Sequence, residues 1–240
     1  MSIKLNLPKK YPYAYETHLH TREGSACSVA YGLEMAMACK AAGYTGMIVT
    51  DHFYYGNTAV DRSLPWSDWV EQFCEGYESA KQQGDKIGLQ VFFGWEATYD
   101  GTDFLVYGLD KDWLLSHPEI KDASIAEQYQ MVHEAGGIVI HAHPFREASY
   151  IPEIRLFPEF VDGVETVNAT HIWTTRQPDG TVPYDEKARA YAKKHGFVQT
   201  AGSDIHSVHL IGGGMAFQKK LENVQDFIKE VMTGSGILLP

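Results

Sequence analysis

Four short, apolar, β-branched runs in this chain each end in histidine or carboxylate, and that recurrence limits what it can fold into. Gly46–Thr50 runs into Asp51-His52, Leu89–Trp95 into Glu96, Gly137–Ile140 into His141-Ala-His143, and Phe197–Ala201 into Gly-Ser-Asp204-Ile-His206. A fifth run, Tyr15–His20, carries its histidines at its own end. Runs apolar on both faces are strands covered by helices on both sides, as in parallel sheets. The segments between them read as helices: 31–42 stopping at Gly43, 66–83, 124–135 opened by the Ser124…Glu127 capping pattern, 185–194 and 222–233. Asp100-Gly101 predicts a hairpin into Phe104–Tyr107, 161–167 a weaker strand ending near Asn168, and 212–214 a flexible loop. The alternation predicts one α/β domain over 1–240, barrel-like, with residues 1–12 as an N-terminal arm. In such barrels the chemistry lies at the carboxyl ends of the strands, where these histidines and carboxylates fall.

The types of side chain point to metal. On a strand, residues two apart share a face, so His18 and His20 aim at one point. That suits two nitrogen ligands to one ion, although two unrelated polar residues at a strand end would read the same way. The chain has 11 histidines, and a second His-x-His pair at His141/His143. A net charge of −11 argues against nucleic acid or an anionic membrane as a standing partner. It leaves room for a small anionic substrate, because bound cations reverse the local field. Three widely spaced cysteines suit a reducing cytoplasm rather than a disulfide framework. The opening residues lack the apolar core of a signal peptide, and no apolar stretch is long enough to span a membrane.

The stretches His18-Leu-His20, Thr50-Asp-His52, Gly94-Trp-Glu96, Ala142-His-Pro144 and Gly202-Ser-Asp-Ile-His206 resemble, in order and spacing, those of the PHP family, the polymerase and histidinol phosphatase domain. The resemblance implies a distorted (β/α)7 barrel, two or three divalent metals in a cleft, and hydrolysis of phosphate esters. It implies that His18, His20 and Asp204 bind a first metal, that Glu96 bridges first and second, that His143 binds the second, and that His52 and His206 bind the third. The family's first loop supplies another ligand where this chain has Ser25, and Glu23, the nearest carboxylate, is the expected third-metal ligand in its place; Asp103 stands in for a histidine on the strand after Glu96. A mixed imidazole and carboxylate set suits zinc, manganese or iron. Such ions polarise a phosphoryl oxygen and lower the pKa of water to about 7, so no side-chain nucleophile is needed.

The expected activity is therefore metal-dependent hydrolysis of a small phosphorylated molecule, a phosphomonoester such as histidinol phosphate among the candidates. A phosphodiesterase or nucleotidase is the near alternative, and an inactive, metal-stabilised regulatory domain the distant one. Arg146 is a candidate phosphate clamp, with Arg22 a weaker one. His141 reads as a supporting or packing residue, Asn168 and His209 as residues near the cleft, and His117, His133 and His195 as surface. His171 is unassigned. Phe53, Tyr54, Tyr55 and Trp66 either wall the substrate pocket or pack on the fold.

Overall fold

A computed structural model describes residues 4–240. The strands are β1 (Tyr13–Leu19), β2 (Gly46–Val49), β3 (Gln90–Tyr99), β4 (Thr102–Tyr107), β5 (Ile138–His141), β6 (Gly163–Asn168), β7 (Val198–Gly202), β8 (Gly214–Phe217) and β9 (Ile237–Leu239). The helices are α1 (Gly32–Ala42), α2 (Trp66–Phe73), α3 (Glu75–Ile87), α4 (Lys111–Ser116), α5 (Ile125–Glu134), α6 (Ala169–Thr175), α7 (Pro183–His195) and α8 (Val224–Met232).

The strands form one sheet in the order β7-β6-β5-β4-β3-β2-β1-β8-β9. It curls until its first strand meets the chain leaving β7: Asp204 N–H donates to His18 O at 2.7 Å, and His20 N–H to Ile205 O at 3.0 Å. Strand β1 thus pairs with β8 along its first half and with the β7 exit along its second. The result is a nearly closed α/β barrel. It is not uniformly parallel. β4 runs antiparallel to β3 and β5, and β8 is antiparallel to β1 and β9. The β3–β4 connection is the tight Asp100-Gly101 turn, with φ of 47° and 80°. Both values are positive, as a type I′ hairpin requires, and the turn leaves no room for a crossover helix.

Two expectations need correction. The helix expected over 66–83 breaks at Cys74 into α2 and α3. The break sets Gly76 hard against the first loop and α1. A Cβ on Gly76 would lie 2.0 Å from Thr21 Oγ1, and one on Gly32 would lie 2.1 Å from Gly76 O. Apolar spacing does not reveal this, because the helical period of Trp66, Trp69 and Phe73, which stack in one column, continues past the break to Tyr77 and Ala80. The glycine loop at 212–214 also leads straight into β8, which fills the groove beside β1. Of the expected arm 1–12, residues 1–3 lie outside the described residues; Leu5, Leu7 and Tyr11 pack on the apolar cluster under α1.

Beneath the strand ends, Glu16 fastens the seam. It is fully buried and accepts from the backbone N–H of Thr17, His18 and Ser203 at 3.0, 3.0 and 2.9 Å, and from the Ser203 hydroxyl. Burial, only partly offset by these donors, pushes its carboxyl up to about 7. Opposite, Gly202 lets β7 pass His18 at contact distance: an added Cβ would meet His18 Cβ at 2.4 Å and Glu165 Oε1 at 2.6 Å. Gly202→Ala should therefore overpack the seam and cost about 1–3 kcal/mol, read as a lower denaturant midpoint at unchanged slope. An unchanged midpoint would contradict this packing.

Candidate metal centre

Strands β1, β2, β3, β5 and β7 all deliver side chains to the same end of the barrel. His18 and His20 emerge on one face of β1, with their Nε2 atoms 3.2 Å apart. Their other nitrogens are committed. His18 Nδ1–H donates to Glu165 Oε1 at 2.9 Å. Ser25 Oγ donates to Asp51 Oδ1 at 2.7 Å, so at 3.1 Å it accepts from His20 Nδ1–H. The two Nε2 lone pairs therefore point at one another, and a positive charge must sit between them. In the metal-free chain that charge is a proton. Burial opposes protonating His18, but Glu165, Asp204 and Glu96 outweigh it and hold its pKa well above the ordinary imidazole value. Burial and the neighbours His52 and His206 hold His20 well below it.

Glu96 is the centre of the cluster. Its Oε1 lies 3.1 Å from His143 Nε2 and 3.3 Å from His18 Nε2. Its Oε2 lies 2.8 Å from His52 Nδ1 and 3.5 Å from His20 Nε2. Burial would raise its pKa, but His18 and His52 more than reverse that and hold it well below the usual carboxylate range. Asp204 Oδ1 reaches His20 Nε2 at 3.2 Å and His18 Nε2 at 3.5 Å. Burial is again outweighed for Asp204, first by Arg146 and then by His18, and its carboxyl is held well below the usual range. Asp103 Oδ2 lies 4.0 Å from His143 Nε2, and burial together with Glu96 raises its pKa.

Four donor groups have their ligand atoms within 4.8 Å: His18/His20/Glu96, His18/His143/Asp204, Glu96/Asp103/His143, and His20/His52/His206. The donor set is the one expected for borderline divalent ions. One buried pair fits the same reading: Glu96 Oε2 and His52 Nδ1 lie 2.8 Å apart without hydrogen-bond geometry. His143 and Asp204 have φ of 27° and 54°, a backbone region that L residues rarely adopt. Strain of this kind collects at functional sites.

The structure thus gathers His18, His20, His52, Glu96, Asp103, His143, Asp204 and His206. It does not bring Glu23 there. The Glu23 carboxylate accepts from Gly32 N–H at 3.2 and 3.1 Å, capping the first amide of α1. Arg146 borders the cleft, and its guanidinium pairs with Asp204 and donates to His171 Nε2 at 3.1 Å. His171 Nδ1 in turn binds Asp185 Oδ1 at 2.7 Å, which fixes the tautomer that accepts from Arg146. Asn168 Nδ2 donates to Glu165 Oε2 at 3.0 Å. His141 is a packing residue: it stacks on Phe104 at 5.1 Å, and burial pushes it down to about 3. His209 lines an apolar groove beside α1, and Arg22 lies over the Tyr31 ring. Phe53 and Trp66 pack into the core, whereas Tyr55 reaches the cleft.

Sequence reasoning missed Glu165, Ser25 as an orienting group, and the Asp185–His171 pair. Glu165 had a signal: a carboxylate inside the buried run 163–168 must find a partner.

No family model matches the sequence, and no curated protein matches it. Solved structures do match its fold. A two-domain protein from Bacteroides vulgatus, containing a predicted PHP-like metal-dependent phosphoesterase, superposes with a TM-score of 0.67 at 12% identity, over 99% of this chain and 68% of that one. This is the PHP-like fold. A protein from Bifidobacterium adolescentis, described as a metal-dependent phosphoesterase, shares it at a TM-score of 0.53 and 15% identity, over 96% and 98% of the two chains. So does an amidohydrolase from Chromobacterium violaceum with bound sulfate and no metal, at 0.57 and 14% identity, over 94% and 98%. At these identities the likeness concerns the fold. PHP-like proteins and this chain share a barrel on which metal-dependent hydrolases are built, and among the described residues no helix is long and apolar enough to cross a membrane.

Two predictions follow from the outer ring and the trapped protons. Glu165→Gln should free the His18 ring and weaken metal binding about 10–100-fold in a competition titration with a chromophoric chelator. Binding should also release protons at pH 7, because His18 and His52 are held above the ordinary imidazole value and must lose a proton to become ligands. Affinity should then rise with pH through that range, and the calorimetric enthalpy should change with the buffer's ionisation heat. A buffer-independent enthalpy would contradict it.

Proposed function

We propose that the chain is a metal-dependent phosphoesterase that hydrolyses a small phosphomonoester. The observation that carries this reading is the placement of Glu96, one oxygen against His18 and His143 and the other against His20 and His52. A carboxylate so flanked is a bridge between neighbouring metal positions. His18, His20 and Asp204 would hold the first ion, His143 and Asp103 the second, and His52 and His206 a third, with zinc, manganese or iron matching the donors. Bound there, such ions supply Lewis-acid polarisation of a phosphoryl oxygen and a lowered pKa for water.

The chain's own residues do the rest. Arg146, held in one plane by Asp204 and His171, presents its remaining donors to the phosphate oxygens. Tyr55, Asn57 and Tyr150 wall a cleft of about 580 Å³, a size that suits a metabolite. The net charge of −11 disfavours a polynucleotide. The three cysteines are unpaired, in keeping with a reducing, cytoplasmic setting.

The test is a panel of phosphomonoesters, phosphodiesters and nucleotides with each metal supplied. Phosphomonoester turnover should vanish with a chelator and return with metal. Glu96→Gln should lower kcat roughly a thousandfold in protein that still folds. Arg146→Lys keeps the charge but loses the fork, so it should raise KM about tenfold. Unchanged turnover in Glu96→Gln would remove the bridging role, and preference for diesters would redirect the substrate class.

A further inference from the structure

Two tyrosines open a surface into the cleft that the chemistry above does not use. Tyr55 follows His52 on the loop after β2, and Tyr150 follows Arg146 on the loop after β5. In the sheet, β3 and β4 lie between β2 and β5, so the two loops stand on opposite sides of the cleft. Thr98, Gly101 and Asp103 of the β3–β4 hairpin line it between them. Tyr55 and Tyr150 are 60% and 66% exposed, a large open aromatic surface for residues that border a concave site.

Both loops are tied down. Tyr55 O–H donates to Asp122 Oδ1 at 2.8 Å, and its ring meets that of Tyr54 in a T-shaped pair with centroids 5.0 Å apart. The Arg62 guanidinium donates to the carbonyls of Tyr54 and Gly56, one on each side of Tyr55. Across the cleft, Arg155 donates to Tyr99 O and straps the Tyr150 loop to the hairpin. Ile151 and Pro152 press on the hairpin tip, where a Cβ added to Gly101 would lie 3.2 and 3.3 Å from them. Aromatic rings on loops anchored in this way offer stacking area at low entropic cost. The charge of the cleft is one-sided. Among the described residues that line it, Arg146 is the one lysine or arginine, and the phosphate takes it up. Asn57 and Thr98 in the same lining are polar without charge.

We propose that the substrate is the phosphate ester of an alcohol that carries a flat aromatic ring and no second anionic group, the ring lying between Tyr55 and Tyr150 while Arg146 holds the phosphate. The inference rests on the phosphomonoester reading and names the substrate class of the same cleft. Water adds its oxygen to phosphorus, the bond from phosphorus to the alcohol oxygen breaks, and that oxygen takes up a proton. The products are inorganic phosphate and the free aromatic alcohol, with no change of oxidation state. A saturated ring of similar size has no π-face to stack, and a second phosphate or carboxylate finds no further cation in the cleft lining.

The experiment uses the full chain loaded with metal and two esters whose leaving alcohols are alike in size and basicity, 2-phenylethyl phosphate and 2-cyclohexylethyl phosphate. The expected result is a kcat/KM about tenfold higher for the phenyl ester, with the matching pair of non-hydrolysable phosphonates separated to a similar degree in calorimetric Kd. Tyr55→Leu and Tyr150→Leu should each bring the ratio down towards one, chiefly through KM, and Tyr55→Phe and Tyr150→Phe should keep it. The ratio is taken within one protein, so a loss of folded chain or of metal cancels. A carboxylate at the para position of the phenyl ester should lower kcat/KM about tenfold through the uncompensated charge. A ratio near one in the wild-type chain, or one that neither leucine substitution moves, overturns the aromatic class and leaves the phosphoesterase reading standing. If the metal-loaded, folded chain hydrolyses no phosphomonoester at all, that reading fails and this inference falls with it.

Discussion

An ionised carboxylate with no access to water must be compensated from within, and Glu96 is such a group at the centre of this barrel. Four imidazoles surround it, two at each oxygen. Without metal, protons on His18 and His52 supply the positive charge. Divalent ions do the same with more charge and in the geometry the ring nitrogens already present. The same requirement explains the seam. His18 and His20 sit on the strand where the sheet closes, and Asp204 is carried in by the chain that closes it. The cluster exists only if the barrel shuts, so fold and site are one structural problem.

An outer ring of polar residues turns this crowd of histidines into an ordered set of donors. Glu165 settles His18, Ser25 and Asp51 settle His20, and Asp185 settles His171, which in turn holds Arg146. Each partner fixes one nitrogen as a donor, so the other is a free lone pair. These partners lie on β6, the first loop, the β2 exit and α7, elements anchored by the buried core. The strained backbone at His143 and Asp204 is stored where two strands end and the chain must turn its side chains inward.

Much of this was legible in the residues. The two His-x-His pairs and the carboxylates after apolar runs show which strands end at the site, because a period of two and a buried strand leave them one direction to point. What escaped depends on contacts distant in sequence. Glu23 is near His20 along the chain, and only the folded loop decides that its carboxylate caps α1. The break at Cys74 follows from the close passage of Gly76 past Thr21, which no periodicity within 66–83 encodes. Strand β8 was hidden because its pairing with β1 begins at Met215, directly after Gly214, where φ is 119° and an added Cβ would lie 2.2 Å from Tyr15 O. Glycine there serves a close backbone approach rather than flexibility.

The central claim is that Glu96 lies between metal positions, and the most direct test is anomalous diffraction from crystals of the full chain grown with zinc or manganese. The account predicts peaks on both sides of the Glu96 carboxylate, one within bonding distance of His18 and His20 and another of His143. A well-ordered crystal with no anomalous density at Glu96, or with ions held only by surface carboxylates, would contradict it.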